Sequence, residues 1–227
     1  MNNEKIKLGI IIGGKSVEHE ISVISGLQTY FSVDHNKYDT TIFYLDKNNH
    51  IYVSKELNSI ETYKSNYINK EKEVFIKNIN NQIYYQYLNK PKKSYPIDIF
   101  IPVLHGYGTE DGTVVGFLDI YQAIYTCSDL IPSAIIQDKV ATKAMLKLGN
   151  FPSVEGIVAI EGKTIEEVPF PAIVKPAYLG SSIGIKVVKN NEELEQALNV
   201  AYKYTNKVLI EKAIINFKEY NCAVIKD

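Results

Sequence analysis

The sequence predicts an α/β fold built from two successive units. The first observation is a strand–helix–strand beginning: an apolar run at residues 6–12, a helical segment over residues 17–31 and a second strand over residues 39–46. The second is composition, because 45% apolar and 22% charged residues are typical of globular proteins. The third is length, since 227 residues are enough for one large domain or two ordinary ones.

The rest of the first unit surrounds one further core strand. Residues 48–93 are polar with short strand-like pieces (EVFIK and IYYQY), so we expect a variable, peripheral excursion. Residues 97–104 (IDIFIPVL) are predicted to return as a core strand that ends at His105. In open α/β sheets, ligand-binding residues follow the carboxyl ends of the strands. A helix over residues 113–123 and a short strand over residues 124–127 complete this unit.

The second unit is expected to begin near Leu130. Its predicted elements are two helices and four strands, namely helices over residues 138–148 and 191–204 and strands over residues 172–175, 183–188, 207–213 and 220–225. We expect the strands from residue 207 onward to form an exposed sheet edge that is mobile or prone to aggregation.

Charge and composition exclude several classes of function. The 25 basic and 26 acidic residues give a net charge of −1, and no basic run is interleaved with aromatic residues, so nucleic-acid binding has no electrostatic support. No apolar stretch approaches the length of a membrane span, and the short apolar run near the N-terminus lacks a cleavage signal, so a cytoplasmic location is expected. Cys127 and Cys222 match no metal-binding spacing, and we expect buried free thiols.

The stretch GIIIGGKS at residues 9–16 formally matches a P-loop, but its context argues against one. A P-loop needs the strand to end before its first glycine, so that backbone amides can wrap a phosphate. Here the run continues through Ile10, Ile11 and Ile12, whose β-branched side chains suit an extended strand. The predicted break is Gly13-Gly14, and we expect Lys15 not to be a nucleotide-binding lysine.

Two stretches have the composition of a substrate-binding edge. GGKSVEHEISVISG (residues 13–26) places Glu18 at the start of a helix beside a Gly-Gly turn. Its simplest role is to complement the helix dipole. HGYGTEDGTVVG (residues 105–116) combines His105 at a strand end with several glycines and adjacent acids. The alternative there is a plain turn in which Glu110 or Asp111 caps the next helix.

Two later stretches have the composition of a nucleotide site. AIVKPAYLGSSIGIKVV (residues 172–188) joins Lys175, which can neutralise a phosphate, to a flexible hairpin with Ser181 and Ser182. VLIEKAIINFKEYNCAV (residues 208–224) ends a strand at Glu211 and places Glu219 further on. A strand edge and carboxylates there could hold an adenine and a ribose, although a solvated strand edge explains this piece better when it is viewed alone.

Together and in this order, the four stretches resemble the D-alanine–D-alanine ligase family of ATP-grasp enzymes. DLIPSAIIQDKVATK and FPAIVKP add further matches, so the resemblance covers nearly the whole chain outside the polar excursion. It implies a Rossmann-like pre-ATP-grasp domain over residues 1–130. It also implies an incomplete ATP-grasp domain, with a central nucleotide-binding subdomain over residues 131–206 and the start of a C-terminal domain over residues 207–227.

The resemblance also implies a reaction and its residues. ATP phosphorylates the carboxylate of one D-alanine, and the amine of a second D-alanine attacks the acyl phosphate. Glu18, His105 and Ser181 are implied as catalytic residues, with Glu18 holding the first ammonium. The implied ATP-binding residues are Lys139 and Lys175 at the phosphates, Ser181 and Ser182 in the lid, Glu211, Lys212 and Ile214 around the adenine, and Glu219 at the ribose.

The chain departs from the family pattern in two ways. Thr109 replaces a glycine and is expected to be strained if its φ is positive. The family continues beyond this sequence with a catalytic arginine and the Mg²⁺ ligands, whereas this chain contains no arginine. We therefore expect an N-terminal portion of a ligase that uses ATP and Mg²⁺, inactive alone, with no metal site of its own and a possible homodimer. The alternatives are a non-catalytic nucleotide or D-amino-acid binding module and a ligase that joins D-alanine to D-serine or D-lactate.

Overall fold

The computed structural model describes residues 4–65, 68–165 and 167–224. The chain divides into two compact units, Met1–Asp138 and Lys139–Asp227. Both units combine helices with a β-sheet, so the predicted α/β class is confirmed. No helix within the described residues is long and apolar enough to cross a membrane.

The first unit is a seven-stranded sheet with helices. Its elements in chain order are β1 (Ile6–Gly13), α1 (His19–Ser32), β2 (Tyr38–Leu45), β3 (Ile51–Tyr52), α2 (Ile60–Lys64), β4 (Glu73–Ile79), β5 (Gln82–Tyr87), β6 (Ser94–Ile97), β7 (Ile99–Val103), α3 (Thr113–Ile120) and α4 (Leu130–Gln137). The strand order is β6-β5-β4-β3-β2-β1-β7. Strand β1 pairs in parallel with β2 and β7, while the other pairs are antiparallel.

Strand β1 is buried on both faces, as its continuous apolar run predicts. Ile10 and Ile12 belong to a cluster that includes Val23 of α1, whereas Ile11 belongs to a second cluster that includes Leu118 of α3. Because side chains alternate along a strand, these two clusters lie on opposite faces of the sheet. The sheet is thus a layer between helices, and its carboxyl edge stays open for loops.

The polar excursion is an integral part of this sheet, which corrects the prediction of a peripheral segment. It supplies β3, β4 and β5, and β3 joins the antiparallel side of the sheet to β2. Val74, Ile76 and Ile83 are buried in the same cluster as Ile11. The excursion is polar in composition because only one residue in two faces the core in such strands.

The predicted core strand at residues 97–104 is two strands. Ile97 ends β6, which pairs with β5, and Ile99 begins β7, which pairs with β1. Between them Asp98 hydrogen-bonds Lys7 in both directions: the Asp98 amide donates to the Lys7 carbonyl, and the Lys7 amide donates to the Asp98 carboxylate. The predicted strand at residues 124–127 is reduced to one bridge, between Phe100 and Tyr125.

The second unit is a four-stranded antiparallel sheet with one helix packed against it. Its elements are α5 (Lys139–Leu148), β8 (Gly156–Ile160), β9 (Ala172–Pro176), β10 (Lys186–Val188), α6 (Asn191–Ala201) and β11 (Lys207–Lys212), in the strand order β10-β9-β11-β8. The α6 side chains Leu194 and Leu198 share a core cluster with Val174, Val208 and Ile210 of the sheet. Strand alternation therefore leaves the opposite face of β9 and β11 to Lys175 and Glu211.

Two expectations for the second unit are wrong, and one of its strands is absent from the prediction. Strand β11 lies between β8 and β9 with Val208, Leu209 and Ile210 buried, so it is not a sheet edge. Residues 220–224 form no strand, and Ile225, the last residue of that predicted strand, lies outside the described residues. Strand β8 was not predicted. In addition, Cys127 and Cys222 are exposed rather than buried.

Candidate functional site

The carboxyl ends of β1 and β7 meet at one edge of the first sheet. Ile12 of β1 is in register with Val103 of β7, so the loops that follow them start side by side. Strand β1 continues through Gly9, and the chain turns at Gly13 and Gly14, whose φ angles are +92° and +90°. The predicted strand and turn are confirmed, and the P-loop alternative is excluded because Gly9 lies within a strand.

A buried serine that the sequence analysis did not single out joins these two strand ends. The Ser22 hydroxyl accepts a hydrogen bond from the Gly13 amide at 2.7 Å and donates to the Val103 carbonyl at 2.5 Å. Ser16 makes a second link, because its hydroxyl donates to the His105 carbonyl at 2.6 Å. Helix α1 and the two loops are therefore held together by short, specific bonds.

Glu18 lies beside the glycine that follows His105. It is the N-cap residue of α1, where a carboxylate faces the positive end of the helix dipole. A Cβ atom built on Gly106 would come within 2.5 Å of Glu18 Oε2, so the carboxylate rests against the Gly106 backbone. The structure thus brings Glu18 and His105, which are far apart in sequence, to the same edge.

The His105 ring lies between a helix serine and a loop acid. Its Nε2 is 2.9 Å from Ser25 Oγ, and its Nδ1 is 3.8 Å from Glu110 Oε2. The Ser25 hydroxyl also lies 2.8 Å from the Ile21 carbonyl of the same helix. Burial raises the pKa of Glu110 above its ordinary value, and this outweighs the opposing effects of the Gly106 backbone and His105.

The glycine-rich loop after His105 is fixed by Thr109 and Asp111. Thr109 is buried, its hydroxyl donates to the Gly106 carbonyl at 2.8 Å, and its φ is not positive, so the expected strain is absent. Asp111 accepts from the Thr113 amide at 3.1 Å and from the Gly108 amide at 2.8 Å. Asp111 therefore bonds the first amide of α3 from the position before the N-cap residue Gly112, much as the plain-turn alternative anticipates, while Glu110 faces His105.

His19 stabilises the Gly13-Gly14 turn by a hydrogen bond to its backbone. It is buried, with Nδ1 2.7 Å from the Gly14 carbonyl and Nε2 3.1 Å from the Tyr44 hydroxyl. The carbonyl can only accept, so Nδ1 carries the proton and Nε2 accepts from Tyr44. The residue next to Glu18 is thereby anchored to β2.

In the second unit, Glu211 binds two lysines on the open face of the sheet. Its carboxylate oxygens lie 2.6 Å from Lys175 Nζ and 2.6 Å from Lys143 Nζ. Lys175 faces Leu209 in the β9–β11 register, so Glu211 is its diagonal neighbour on the same face. Burial raises the pKa of Glu211, but the hydrogen bonds and charges of the two lysines outweigh it and hold the pKa below its ordinary value.

Lys139 ties the start of α5 to the loop that follows β9. Its amide donates to the Ala177 carbonyl at 3.0 Å, and its Nζ donates to the Leu179 carbonyl. That loop continues into the serine-containing hairpin, where Ser181 and Ser182 are exposed with φ angles of +49° and +58°. Consecutive residues in the left-handed region are uncommon and are found at ligand-binding loops.

The other predicted adenine and ribose residues lie at and beyond the end of β11. Lys212 is exposed at the end of the strand. Ile214 and Glu219 are exposed in a stretch without regular secondary structure. Lys143 was not predicted, because its contact with Glu211 joins a helix to a strand 68 positions later in the sequence.

Comparison with known proteins identifies the family to which this chain belongs. The family model described as "D-ala D-ala ligase N-terminus" matches residues 7–128, more than half of the chain, and that described as "D-ala D-ala ligase C-terminus" matches residues 141–227. The chain belongs to the D-alanine–D-alanine ligase family. The resemblance drawn from the motifs is therefore confirmed.

Named D-alanine–D-alanine ligases match almost all of this chain. A relative from Thermoanaerobacter sp. (strain X514) is 35% identical over 98% of the chain, and one from Thermosipho africanus is 36% identical over 97%. The chain spans 64% and 62% of these relatives, respectively.

Solved D-alanine–D-alanine ligases also share the fold, which confirms the predicted ATP-grasp type of architecture. The crystal structure from Helicobacter pylori has a TM-score of 0.79 and 26% identity over 93% of this chain and 64% of its own. A Bacillus anthracis structure described as complexed with ATP has a TM-score of 0.65 and 25% identity over 92% of this chain and 59% of its own.

Proposed function

We propose that this chain carries the D-alanine-binding and nucleotide-binding parts of an ATP-dependent D-alanine–D-alanine ligase that serves peptidoglycan precursor synthesis. One observation carries the proposal: the Glu18 carboxylate lies against the backbone of Gly106, the residue that follows His105, at the carboxyl edge of the sheet. A carboxylate at this edge of the sheet can bind an ammonium group, which is what an amino-acid substrate presents.

The proposed reaction has two steps. The γ-phosphoryl group of ATP moves to a carboxylate oxygen of the first D-alanine, and ADP leaves. The amine of the second D-alanine then attacks the acyl carbon, forms the amide bond and expels inorganic phosphate. Both steps depend on positioning and on neutralising negative charge, which is the kind of catalysis that lysines and backbone amides provide.

In the first unit, Glu18 binds the ammonium of the first D-alanine and His105 lies next to the reacting carboxylate. The support for Glu18 is its place at a helix N-terminus beside Gly106. The support for His105 is the orientation of its ring, which Ser25 and Glu110 hold from two sides.

In the second unit, Lys139 and Lys175 bind ATP phosphates. Ser181 and Ser182 belong to the hairpin that covers them, and Ser181 reaches the reacting groups. Glu211, Lys212 and Ile214 frame the adenine, and Glu219 takes the ribose. The proposal is supported by the clustering of Lys175 with Glu211 on the face of the sheet that α6 leaves open.

Magnesium is the expected metal of this family, but the described residues do not fit a magnesium site. No group of three or more histidines, cysteines or acids that could hold a metal ion is found among them. We also propose a cytoplasmic location and a homodimeric assembly, which are the expectations for an enzyme of this kind.

The role of Glu18 is tested by calorimetric titration of the chain with D-alanine and with L-alanine. We expect binding of D-alanine in preference to L-alanine, and a loss of at least about tenfold in affinity in Glu18→Gln, because the ammonium loses its counter-charge. Glu20→Gln is the matched control, since Glu20 is exposed, two positions further along the sequence and paired with Lys47 at 2.7 Å. Equal affinity in Glu18→Gln and the unmodified chain would contradict the assignment.

A further inference from the structure

The cluster around Glu211 holds two cations and one anion. The Glu211 carboxylate is buried, and Lys143 and Lys175 approach it at the same distance, 2.6 Å, one on each oxygen. With these charges the cluster has a net charge of +1, so a buried site contains one more cation than its own anion can neutralise. Such a site attracts a further anion.

The two lysines are held differently. Lys143 projects from α5, its side chain is 19% exposed, and its Nζ also donates to the Val154 carbonyl, so protein atoms bind it on two sides. Lys175 projects from β9 and its side chain is 28% exposed. Lys175 is therefore the lysine with more access to an arriving ligand, and Lys143 is the one that is fixed in place.

We propose that Lys143 is a positioning residue that keeps Glu211 neutralised while Lys175 exchanges the Glu211 carboxylate for a phosphate of the bound nucleotide. This inference rests on the proposed function in one respect, namely that nucleotide phosphates bind at Lys175. It adds a residue and a mechanism: Lys143 acts on the nucleotide through Glu211, without touching it.

The physical reason is the cost of a buried charge without a partner. When Lys175 turns toward a phosphate, Glu211 loses one of its two lysines. A buried carboxylate that loses every partner is strongly disfavoured, whereas one that keeps a bonded lysine is not. Without Lys143, Glu211 would hold Lys175 and compete with the phosphate for it. Nucleotide affinity then depends on Lys143, although Lys143 does not contact the nucleotide.

The test compares ADP with adenosine in the variant Lys143→Gln, by calorimetric titration of the whole chain. Glutamine keeps a hydrogen-bond donor, removes the charge and shortens the side chain by one bond. We expect the Kd for ADP to rise about tenfold or more, because Lys175 stays with Glu211. The Kd for adenosine should change less than about twofold, because adenosine has no phosphate to bind Lys175. Lys147→Gln is the matched control, as it removes an exposed lysine one turn further along α5.

A second background separates positioning from direct contact. In Glu211→Gln no carboxylate is left to compete, so adding Lys143→Gln should change the ADP Kd by less than about twofold. The same loss in both backgrounds would mean that Lys143 binds the phosphate itself, and would overturn the proposal. An unchanged ADP Kd in Lys143→Gln, or an equal loss for ADP and adenosine, would overturn it as well.

Lys143→Arg extends the test if Lys143→Gln does not fold. Arginine keeps the charge, so we expect an ADP Kd within about twofold of that of the unmodified chain. A loss of about tenfold in a natively folded Lys143→Arg chain would overturn the inference.

If the unmodified chain binds no ADP, the nucleotide half of the proposed function fails and the inference fails with it. If the chain binds ADP but Lys143 has no effect, the inference alone fails.

Discussion

At the scale of single residues, two lysines distinguish the two possible nucleotide sites. Lys15 follows the Gly-Gly turn and is exposed, whereas Lys175 lies 2.6 Å from a buried carboxylate in the second unit. We expect Lys15→Ala to leave ATP affinity nearly intact and Lys175→Ala to lower it by about tenfold or more, since of these two lysines only Lys175 is proposed to neutralise phosphate charge. A nucleotide titration of both variants measures this, and the reverse order would contradict the assignment.

The ion pairs of Glu211 predict how the stability of the folded chain depends on pH. Its pKa is lowered in the folded chain because the hydrogen bonds from Lys143 and Lys175 outweigh burial. The stability it contributes is therefore fully present above the pKa of an unfolded glutamate, and is lost as pH falls through that value and on to the lowered one. We expect urea unfolding across an acidic pH series to show this loss, and Glu211→Gln to show a flatter acid limb. An equally steep limb in Glu211→Gln would contradict the lowered pKa.

Site residues could be predicted from the sequence where a short motif carries them. Glu18, His105 and Lys175 each stand next to glycines or at a strand end, so local pattern was enough to single them out. Lys143 and Ser22 could not be found that way, because their contacts with Glu211 and Val103 join residues 68 and 81 positions apart. The roles assigned to the site residues themselves stay predictions.

At the scale of elements, the packing of α1 on β1 depends on one glycine. A Cβ atom on Gly26 would lie 2.1 Å from Cγ2 of Ile12, which is fully buried. Overpacking of this kind costs about 1–3 kcal/mol, whereas the better helix propensity of alanine returns at most about 1 kcal/mol.

We therefore expect Gly26→Ala to lower the free energy of unfolding by about 1 kcal/mol or more in urea titrations. Gln28→Ala is the control, because Gln28 is exposed on the same helix, and it should change stability by less than about 0.5 kcal/mol. A Gly26→Ala chain as stable as the control would show that the helix can move away from the sheet at no cost.

The central position of β11 in the second sheet predicts which amides near the end of the chain exchange slowly. It is paired on both sides, with Leu209 opposite Lys175 of β9 and opposite Val158 of β8. We expect slow amide exchange for residues 208–211 and fast exchange for residues 218–224, which are exposed and form no regular structure. Equally fast exchange in both stretches, measured by mass spectrometry or NMR, would contradict the central position of β11.

The sequence pattern predicted elements with long apolar runs better than it predicted their neighbours. Strand β1 was predicted closely because all of its later residues are buried. Strand β8 was missed because it is five residues long and only Ala159 is buried in it. The central place of β11 depends on its pairing with β8, which the expectation of a sheet edge does not include.

At the scale of the whole molecule, the sequence predicted two units and an α/β fold, and both are present. The chain divides after Asp138, because α4 packs against α3 through Leu130 and Gly116 and so belongs with the first unit. The finer three-part division at residues 130 and 206 stays a prediction. The sequence pattern indicates a boundary near residue 130, where the composition changes. The packing of α4 on α3 extends the first unit beyond that point.

The central claim is that this chain serves the ATP-dependent joining of two D-alanines. The measurement that tests it most directly is product analysis by mass spectrometry, using the native protein purified from its source cells with ATP and D-alanine. The account predicts D-alanyl-D-alanine with one ADP released per dipeptide formed, and no dipeptide from L-alanine. Nucleotide binding without any D-alanine-dependent dipeptide would contradict it and would favour a binding module.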